Sequence, residues 1–117
     1  MTPITKQKPE IDFEDFSKVE IRVGEIIECD YLEGSEKILK LKVDFGDLGL
    51  RQILSGIAKH YSPQELLKKK TLFVLNIKPR KILGYESQGM LFAADNQEGR
   101  PVFVVPEQNL HNGAEMI

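Results

Sequence analysis

The sequence has little of several residue types that mark whole classes of protein, since its 117 residues include one cysteine, two histidines and no tryptophan. Because Cys29 is alone, an intramolecular disulfide and a zinc site with several cysteines are excluded, and a reducing compartment is favoured. No apolar run approaches the roughly 18 residues of a membrane-spanning helix, and the N-terminus lacks the basic-then-apolar order of a signal peptide. These absences predict a soluble, cytoplasmic protein without a membrane partner.

Residues arranged for catalysis or metal binding are also scarce. His60 and His111 have no cysteine or second histidine at metal-ligand spacing. The sequence also lacks a glycine-rich phosphate loop, a Gly-x-Ser-x-Gly elbow and a nucleophile with an evident base. We therefore expect a non-catalytic domain that needs no cofactor and no metal ion.

The charged residues are segregated along the chain, although the net charge is only −2. Residues 1–36 carry 4 basic and 10 acidic side chains (net −6), residues 37–81 carry 11 and 3 (net +8), and residues 82–117 carry 1 and 5 (net −4). A basic middle of this kind can form a cationic face that meets phosphates, or it can be a solvated surface without a partner. The charge distribution alone leaves both possibilities open.

A chain of 117 residues is long enough for one domain with its own hydrophobic core. We predict a flexible N-terminal arm over residues 1–11, because this stretch contains two prolines and no apolar periodicity. The domain is predicted to span residues 12–117. At its start, Asp12 is expected to cap a short helical turn that contains Phe13 and Phe16.

The first half of the domain has the pattern of three strands. Apolar residues alternate from Val19 to Tyr31, and the alternation slips at Gly24, which predicts one long strand with a bulge or sharp bend there. Residues 39–45 alternate strictly and predict a half-buried strand. A hairpin turn over residues 46–49 then leads to an antiparallel strand over residues 50–55.

A helix signal separates these strands from the rest of the chain. Ser62, Pro63 and Glu65 have the spacing of an N-cap, a first-turn proline and a capping-box acid, and Lys68 to Lys70 suit the C-terminal end of the helix. The apolar run that follows predicts a buried strand that ends near Ile77.

A basic loop follows that strand. Pro79 removes a backbone donor, so the chain must leave the sheet there, and Gly84 lets it turn again. Three cations, Lys78, Arg80 and Lys81, are therefore predicted to lie on a stiffened loop. Residues 90–94 are small and apolar enough to form a second strand that packs inside a barrel.

The order strand, strand, strand, helix, strand, strand predicts an all-β fold, a five-stranded oligonucleotide-binding (OB) barrel with a short helix between strands three and four. Residues 101–105 predict a further strand before a turn-rich tail over residues 106–117, so the barrel has a C-terminal extension. An all-β meander is the alternative. In an OB barrel the ligand contacts strands two and three and the loops after strands one and four, which contain Lys37, Lys40, Lys42 and residues 78–81.

Five segments, in order along the chain as far as the C-terminus, carry a family resemblance: DFSKVEIRVGEI, KILKLKVDFG, RQILSGIAKHYSPQELLKKK, VLNIKPRKILGYESQGMLFAA and VPEQNLHNGAEMI. They look like the tRNA-binding domain at the C-terminus of many methionyl-tRNA synthetases, which also occurs in stand-alone tRNA-binding proteins and in a related secretion-chaperone family. The stretch from Asn76 to Met90 is the most specific, because a Pro-basic loop followed by Ser-x-Gly-Met rarely arises by chance. The loop GSEK that ends at Lys37, and the tripeptide at residues 111–113, depart from the family pattern.

The resemblance implies binding of folded tRNA through its shape and backbone, without sequence-specific readout and without chemistry. The basic side chains would neutralise phosphates, the amide and hydroxyl would hydrogen-bond ribose or phosphate oxygens, and the methionine would contact a base or sugar. The expected tRNA contacts are Lys37, Lys40, Lys42, Asn76, Lys78, Arg80, Lys81, Ser87 and Met90. Structural alternatives remain for the uncharged residues. Asn76 can satisfy backbone groups at a strand end, Ser87 can make a turn and Met90 can be a core residue.

Partners follow from the same resemblance. We expect tRNA and a methionyl-tRNA synthetase catalytic chain as partners, with this chain acting in trans as an accessory, beta-subunit-like domain, and we expect no DNA binding. A homodimer is also expected, because the apolar run at residues 102–105 needs a cover for its second face and the tail over residues 106–117 could cross the interface. The alternatives are a dimeric, chaperone-like protein binder of the related secretion family and a purely architectural interaction domain.

Overall fold

The computed structural model describes residues 6–117, so residues 1–5 of the predicted arm lie outside the described residues. Residues 6–11 are exposed and belong to no helix or strand. Helix α1 starts where predicted, although Asp12 makes no side-chain capping hydrogen bond. In chain order, the helices and strands are α1 (Phe13–Phe16), β1 (Ile21–Tyr31), β2 (Leu39–Asp44), β3 (Leu50–Ser55), α2 (Pro63–Leu66), β4 (Lys70–Val74), β5 (Arg80–Ile82), β6 (Tyr85–Ser87), β7 (Met90–Leu91), β8 (Ala93–Asp95) and β9 (Pro101–Phe103).

A five-stranded antiparallel sheet with the strand order β3-β2-β1-β4-β7 forms the centre of the domain. The sheet curls into a half-barrel because β1 is long enough to serve both halves. Residues 25–31 of β1 pair with β2, and residues 21–25 pair with β4. Together with α2 between β3 and β4, this arrangement confirms the predicted OB-like barrel.

Of the two irregularities predicted at Gly24, a bulge or a sharp bend, the bulge does not lie there. The register between β1 and β2 shifts between Ile26 and Glu28, so the predicted position of the bulge is wrong. Gly24 is needed for close packing instead, because a Cβ built there would lie 2.5 Å from Val43 Cγ1 and 2.6 Å from Phe45 Cε1. A glycine inside a strand can therefore mark an approaching side chain as well as a bulge.

The apolar face of β2 forms the middle of the core, as its alternation predicts. Its inward side chains are fully buried and belong to Leu39, Leu41, Val43 and, just after the strand, Phe45. The ring of Phe45 meets that of Phe73 edge to face, with 5.5 Å between the ring centroids. Ile53 from β3 and Leu66 from α2 pack into the same cluster.

Helix α2 begins as predicted and ends earlier. The backbone N–H of Ser62 donates to Glu65 Oε2 over 2.7 Å in a capping box, and this hydrogen bond lowers the pKa of the Glu65 carboxyl. The predicted extension of the helix to residues 68–70 is wrong. Lys68 has a φ of 68°, and its N–H donates to Ile26 O over 2.7 Å, so the chain turns directly into its pairing with β1.

The stretch over residues 90–94 forms two short strands instead of one interior strand. Strand β7 pairs with β4 through Met90 and Leu91, and Phe92 N–H still donates to Leu72 O over 3.0 Å before the chain leaves the central sheet. Residues 93–95 then pair with β9 in a separate hairpin, where they are exposed. The predicted burial of this stretch is therefore wrong, since small apolar side chains do not by themselves specify an interior position.

The C-terminal tail folds back onto the edge of β1 in its own chain. Gly113 N–H donates to Val23 O over 2.8 Å, and Val23 N–H donates to Ala114 O over 2.9 Å. Met116 N–H donates to Ile21 O over 2.8 Å. We call residues 112–116 the docked tail. These residues complete the sheet of their own chain, and the crossing of a dimer interface by the tail over residues 106–117 remains a prediction.

Candidate nucleic-acid interface

The predicted basic loop is a β-hairpin. Strands β5 and β6 pair antiparallel, with Arg80 opposite Ser87 and Lys81 opposite Glu86. Leu83 and Gly84 form the turn with positive φ values of 51° and 85°. The loop prediction is therefore corrected, because the residues after Pro79 pair across this turn. All three predicted cations of the hairpin region are exposed: Lys78, Arg80 and Lys81.

Hydrogen bonds fix this hairpin to the edge strand β3. Gln88 N–H donates to Gln52 O over 2.8 Å, and Gln52 N–H donates to Gln88 Oε1 over 2.9 Å. Gln52 Nε2 also donates to Glu86 O over 2.9 Å. We call these three bonds the glutamine clamp. Gln52 is absent from the predicted set, because no periodicity distinguishes it from other polar residues on an edge strand.

Ser87 lies beside the glutamine clamp and is only 5% exposed. Its Oγ accepts a hydrogen bond from Leu54 N–H over 3.0 Å and donates one to Gly89 O over 3.0 Å. A hydroxyl has a single proton, so Ser87 has no donor left for ribose or phosphate. The structural alternative for Ser87 is thus favoured over the predicted tRNA contact.

A cavity of about 170 Å³ opens beside the hairpin. We call it the hairpin cavity, and it is lined by Leu54, Ile77, Lys78, Arg80, Ile82, Ser87, Gly89 and Met90. Met90 is 44% exposed, so the alternative that makes it a core residue is wrong. The cavity thus combines apolar side chains, which a base or sugar could contact, with the cations Lys78 and Arg80, and the contacts of these residues with tRNA remain predictions.

The face of β2 that carries Lys40 and Lys42 is less cationic than the sequence suggests. Acidic residues of β1 stand opposite these lysines, with Glu28 paired to Lys42 and Asp30 paired to Lys40. Lys42 Nζ lies 3.8 Å from Glu28 Oε2. Lys40 Nζ lies 4.8 Å from the centroid of the Tyr85 ring, which is a cation–π contact between the sheet and the hairpin. Contacts of Lys40 and Lys42 with tRNA remain predictions.

Two further cations lie near this surface. Lys37 is exposed in the turn before β2. Arg51, which the sequence did not single out, donates from Nη1 to Leu75 O over 2.8 Å and to Gln88 O over 3.1 Å. The Arg51 guanidinium therefore braces the strands behind the hairpin, in addition to any charge that it offers a ligand.

Asn76 connects the end of β4 to the start of β1. Its Oδ1 accepts a hydrogen bond from Glu20 N–H over 2.8 Å, and its Nδ2 donates to Lys18 O. The structure thus shows the structural role that was the alternative for Asn76. Its side chain is also exposed, so a contact with tRNA remains a prediction.

Groups with catalytic or metal-binding potential are few in the described part of the chain. Burial raises the pKa of the Cys29 thiol to about 11, and the neighbouring Asp30 charge adds to this rise. The thiol is therefore protonated at neutral pH and is a poor nucleophile. Within residues 6–117, no cluster of three or more His, Cys, Asp and Glu side chains could hold a metal ion. No helix in that range is long and apolar enough to span a membrane.

Sequence comparison gives matches over most of the chain. The family model described as "Putative tRNA binding domain" matches residues 21–115. The methionine–tRNA ligase of Caldanaerobacter subterraneus subsp. tengcongensis is 47% identical over 106 residues, which cover 91% of this chain and 16% of the ligase. The chain therefore spans about a sixth of the length of the curated relatives it matches.

Two solved structures have closely similar folds. A MetRS related protein from Pyrococcus horikoshii matches with a TM-score of 0.87 and 35% identity, covering 94% of this chain and 100% of that chain. The chaperone CsaA from Bacillus anthracis matches with a TM-score of 0.84 and 27% identity, covering 93% of this chain and 100% of that chain. The likeness thus extends beyond the barrel to the C-terminal part of the chain.

Proposed function

This chain belongs to the tRNA-binding domain family, and on that basis we propose that it binds tRNA by shape and sugar–phosphate backbone at the hairpin and its cavity. The observation that supports this most is the placement of Lys78, Arg80 and Lys81 on a hairpin that the glutamine clamp holds. Because the hairpin backbone is already fixed, binding a phosphate orders only the side chains of these cations and no additional backbone. Contacts of this kind carry no sequence information, so different tRNAs would bind alike.

We expect tRNAs of different acceptor identity to bind with affinities within a few-fold of one another. If about three to six phosphates are neutralised, log affinity should fall with log salt at a slope of roughly −3 to −5. Fluorescence anisotropy across a salt series measures both quantities, and a DNA hairpin of equal charge is the matched control. An affinity that does not depend on salt, or strong discrimination among tRNAs of one shape, would contradict the proposal.

We further propose that the chain is non-catalytic and acts in the cytoplasm, in trans, as an accessory domain of a methionyl-tRNA synthetase catalytic chain. The support is that the matched part of each ligase relative is a small fraction of its length, 16% in one case. A domain that holds the body of a tRNA raises its local concentration at a catalytic chain without taking part in the chemistry. The expected effect of adding this chain is therefore on tRNA affinity.

We also propose a homodimer that is formed through β9 and the residues after it. Val102, Val104 and Val105 are 41%, 39% and 56% exposed, whereas Phe103 between them stacks on Tyr61 inside the chain. Exposed apolar side chains in a row are typical of a surface that a second copy covers. Two copies would bring two basic hairpins to one assembly, which increases avidity for a large tRNA.

Sedimentation at micromolar concentration should show a dimer for the native chain and a folded monomer for Val105→Asp. Leu48→Asp is the matched control, because Leu48 is comparably exposed in the turn after β2 and should leave the dimer intact. A native monomer would refute the dimer. Deletion of residues 106–117 is a poor test, since it would also remove the docked tail from β1.

The alternative function is a dimeric, chaperone-like protein binder. The fold match with the chaperone CsaA from Bacillus anthracis and the partly apolar lining of the hairpin cavity favour it. A pull-down from cell extract separates the two functions by whether tRNA, a synthetase or unfolded polypeptide is retained. Retention of unfolded polypeptide in place of tRNA would favour the alternative.

A further inference from the structure

The docked tail is held by a polar cluster that lies outside the proposed tRNA surface. Asn112 Nδ2 donates to Glu25 Oε1 over 2.9 Å, and Asn112 is the one asparagine of the sequence that a glycine follows. We propose that Asn112 is a deamidation site gated by docking of the tail, and that conversion of its side chain to a carboxylate releases the tail from β1. A glycine after asparagine favours this reaction because its nitrogen has no neighbouring Cβ to hinder it.

The docked geometry keeps the two reacting groups apart. Deamidation requires the backbone nitrogen of Gly113 to reach Asn112 Cγ, but that nitrogen donates to Val23 O over 2.8 Å. The leaving amide is meanwhile held by Glu25. Arg22 adds a further restraint, because its Nη1 donates to Gly113 O over 2.9 Å. The reaction is therefore slow while the tail is docked and accelerates when the tail detaches.

The chemistry needs only water. In the detached tail, the Gly113 nitrogen attacks Asn112 Cγ and the bond from Cγ to Nδ2 breaks. Ammonia leaves with the proton that the Gly113 nitrogen gives up, and a five-membered succinimide remains. One water molecule then opens either carbonyl of the ring, so residue 112 becomes aspartate or isoaspartate.

The product cannot dock in the same way. A carboxylate at position 112 would have lost the donor to Glu25 and would stand at hydrogen-bond distance from a second carboxylate. Asn112 Oδ1 is already buried without a hydrogen-bond partner, so a negative charge there would be buried and unpaired. Lys70 lies opposite Glu25 across the strands, and its Nζ donates to Leu110 O over 2.7 Å and to Asn109 Oδ1 over 3.3 Å, so this cation is shared with two tail oxygens and would have to balance two carboxylates.

Release of the tail changes the surface of the domain. The N–H and C=O groups of Val23, and the C=O of Ile21, would lose their partners on one edge of β1. An unpaired strand edge is a site where another strand can add. Because the modification is irreversible in water, a chain that deamidates while its tail is detached stays in that state.

Peptide mass spectrometry of protein aged in neutral buffer tests whether docking of the tail slows the deamidation of Asn112. Asn112 should deamidate several-fold faster in Arg22→Ala than in the native chain, and fastest in the denatured chain. Asn109 is the internal control, because Leu110 follows it, and it should stay intact. Equal rates in the native and denatured chains would overturn the gate, and an unmodified Asn112 in the denatured chain would overturn the site.

Hydrogen exchange tests the consequence. Asn112→Asp should lose protection at the amides of Val23, Gly113 and Met116, and carboxypeptidase should then remove Ile117 and Met116 faster. The double variant Asn112→Asp with Glu25→Gln should regain protection, because the glutamine amide can donate to the new carboxylate. Native protection in Asn112→Asp, or failure of the double variant to regain any, would overturn the proposal that charge repulsion releases the tail.

Discussion

Replacement of Arg80 and Lys81 together by alanine should weaken tRNA binding strongly and leave the thermal midpoint nearly unchanged. A hydrogen bond to a charged group contributes about 1.5 kcal/mol at the lower end of the measured range. Loss of two such contacts corresponds to roughly a hundredfold in affinity. Both side chains are exposed on the hairpin, where substitutions change the free energy of unfolding by about 0.5 kcal/mol or less. Anisotropy titration and calorimetry of the same samples measure the two effects.

The matched control for this variant is Lys6→Ala with Lys8→Ala, which removes the same charge from the exposed N-terminal stretch. If both double variants lose affinity equally, the effect is one of net charge and the hairpin is not the site. The salt slope offers a second check, since the hairpin variant should lose about two units of it. An unchanged affinity in the hairpin variant would place the binding surface elsewhere on the domain.

The fold could be predicted because its strongest signals are local in sequence. The alternation of β2 assigns Leu39, Leu41 and Val43 to one face, and all three are buried. The capping box at Ser62 likewise needs only residues three positions apart, and its hydrogen bond is present. The neighbours β1, β2 and β3 follow from the short connections between them, whereas the place of β4 beside β1 follows from the barrel topology.

Features that depend on distant neighbours could not be predicted. The role of Gly24 is set by Val43 and Phe45, which approach it from another strand. The end of α2 is set by the hydrogen bond from Lys68 N–H to Ile26 O, and helix propensities carry no information about a partner so distant in sequence. Both errors arise where tertiary contacts determine the local backbone.

The candidate site shows the same division. The cations at residues 78–81 could be found from the sequence, because their charge and the proline that ends the preceding strand are local features. The acidic residues opposite Lys40 and Lys42 could not, since the charge count along the chain does not say which strands pair. Ser87 was singled out by its motif, but its hydroxyl is used inside the fold.

Phe45→Ala should lower the free energy of unfolding by about 3–5 kcal/mol, the range measured for large aromatic truncations in cores. Phe45 has no exposed surface, and its ring fills the space between Phe73 and Gly24. Since small domains are stable by only about 5–15 kcal/mol, this loss is a large fraction of the total. Urea unfolding measures it. Leu48→Ala, at an exposed position nearby, should change stability by about 0.5 kcal/mol or less.

A double-mutant cycle tests whether the Phe45 ring is the neighbour that requires a glycine at position 24. Gly24→Ala alone should be destabilising, because its Cβ would lie 2.6 Å from Phe45 Cε1 and 2.5 Å from Val43 Cγ1. In the Phe45→Ala background the first of these clashes is gone, so the same substitution should be less harmful there. Strictly additive effects would contradict the close approach of the Phe45 ring to Gly24.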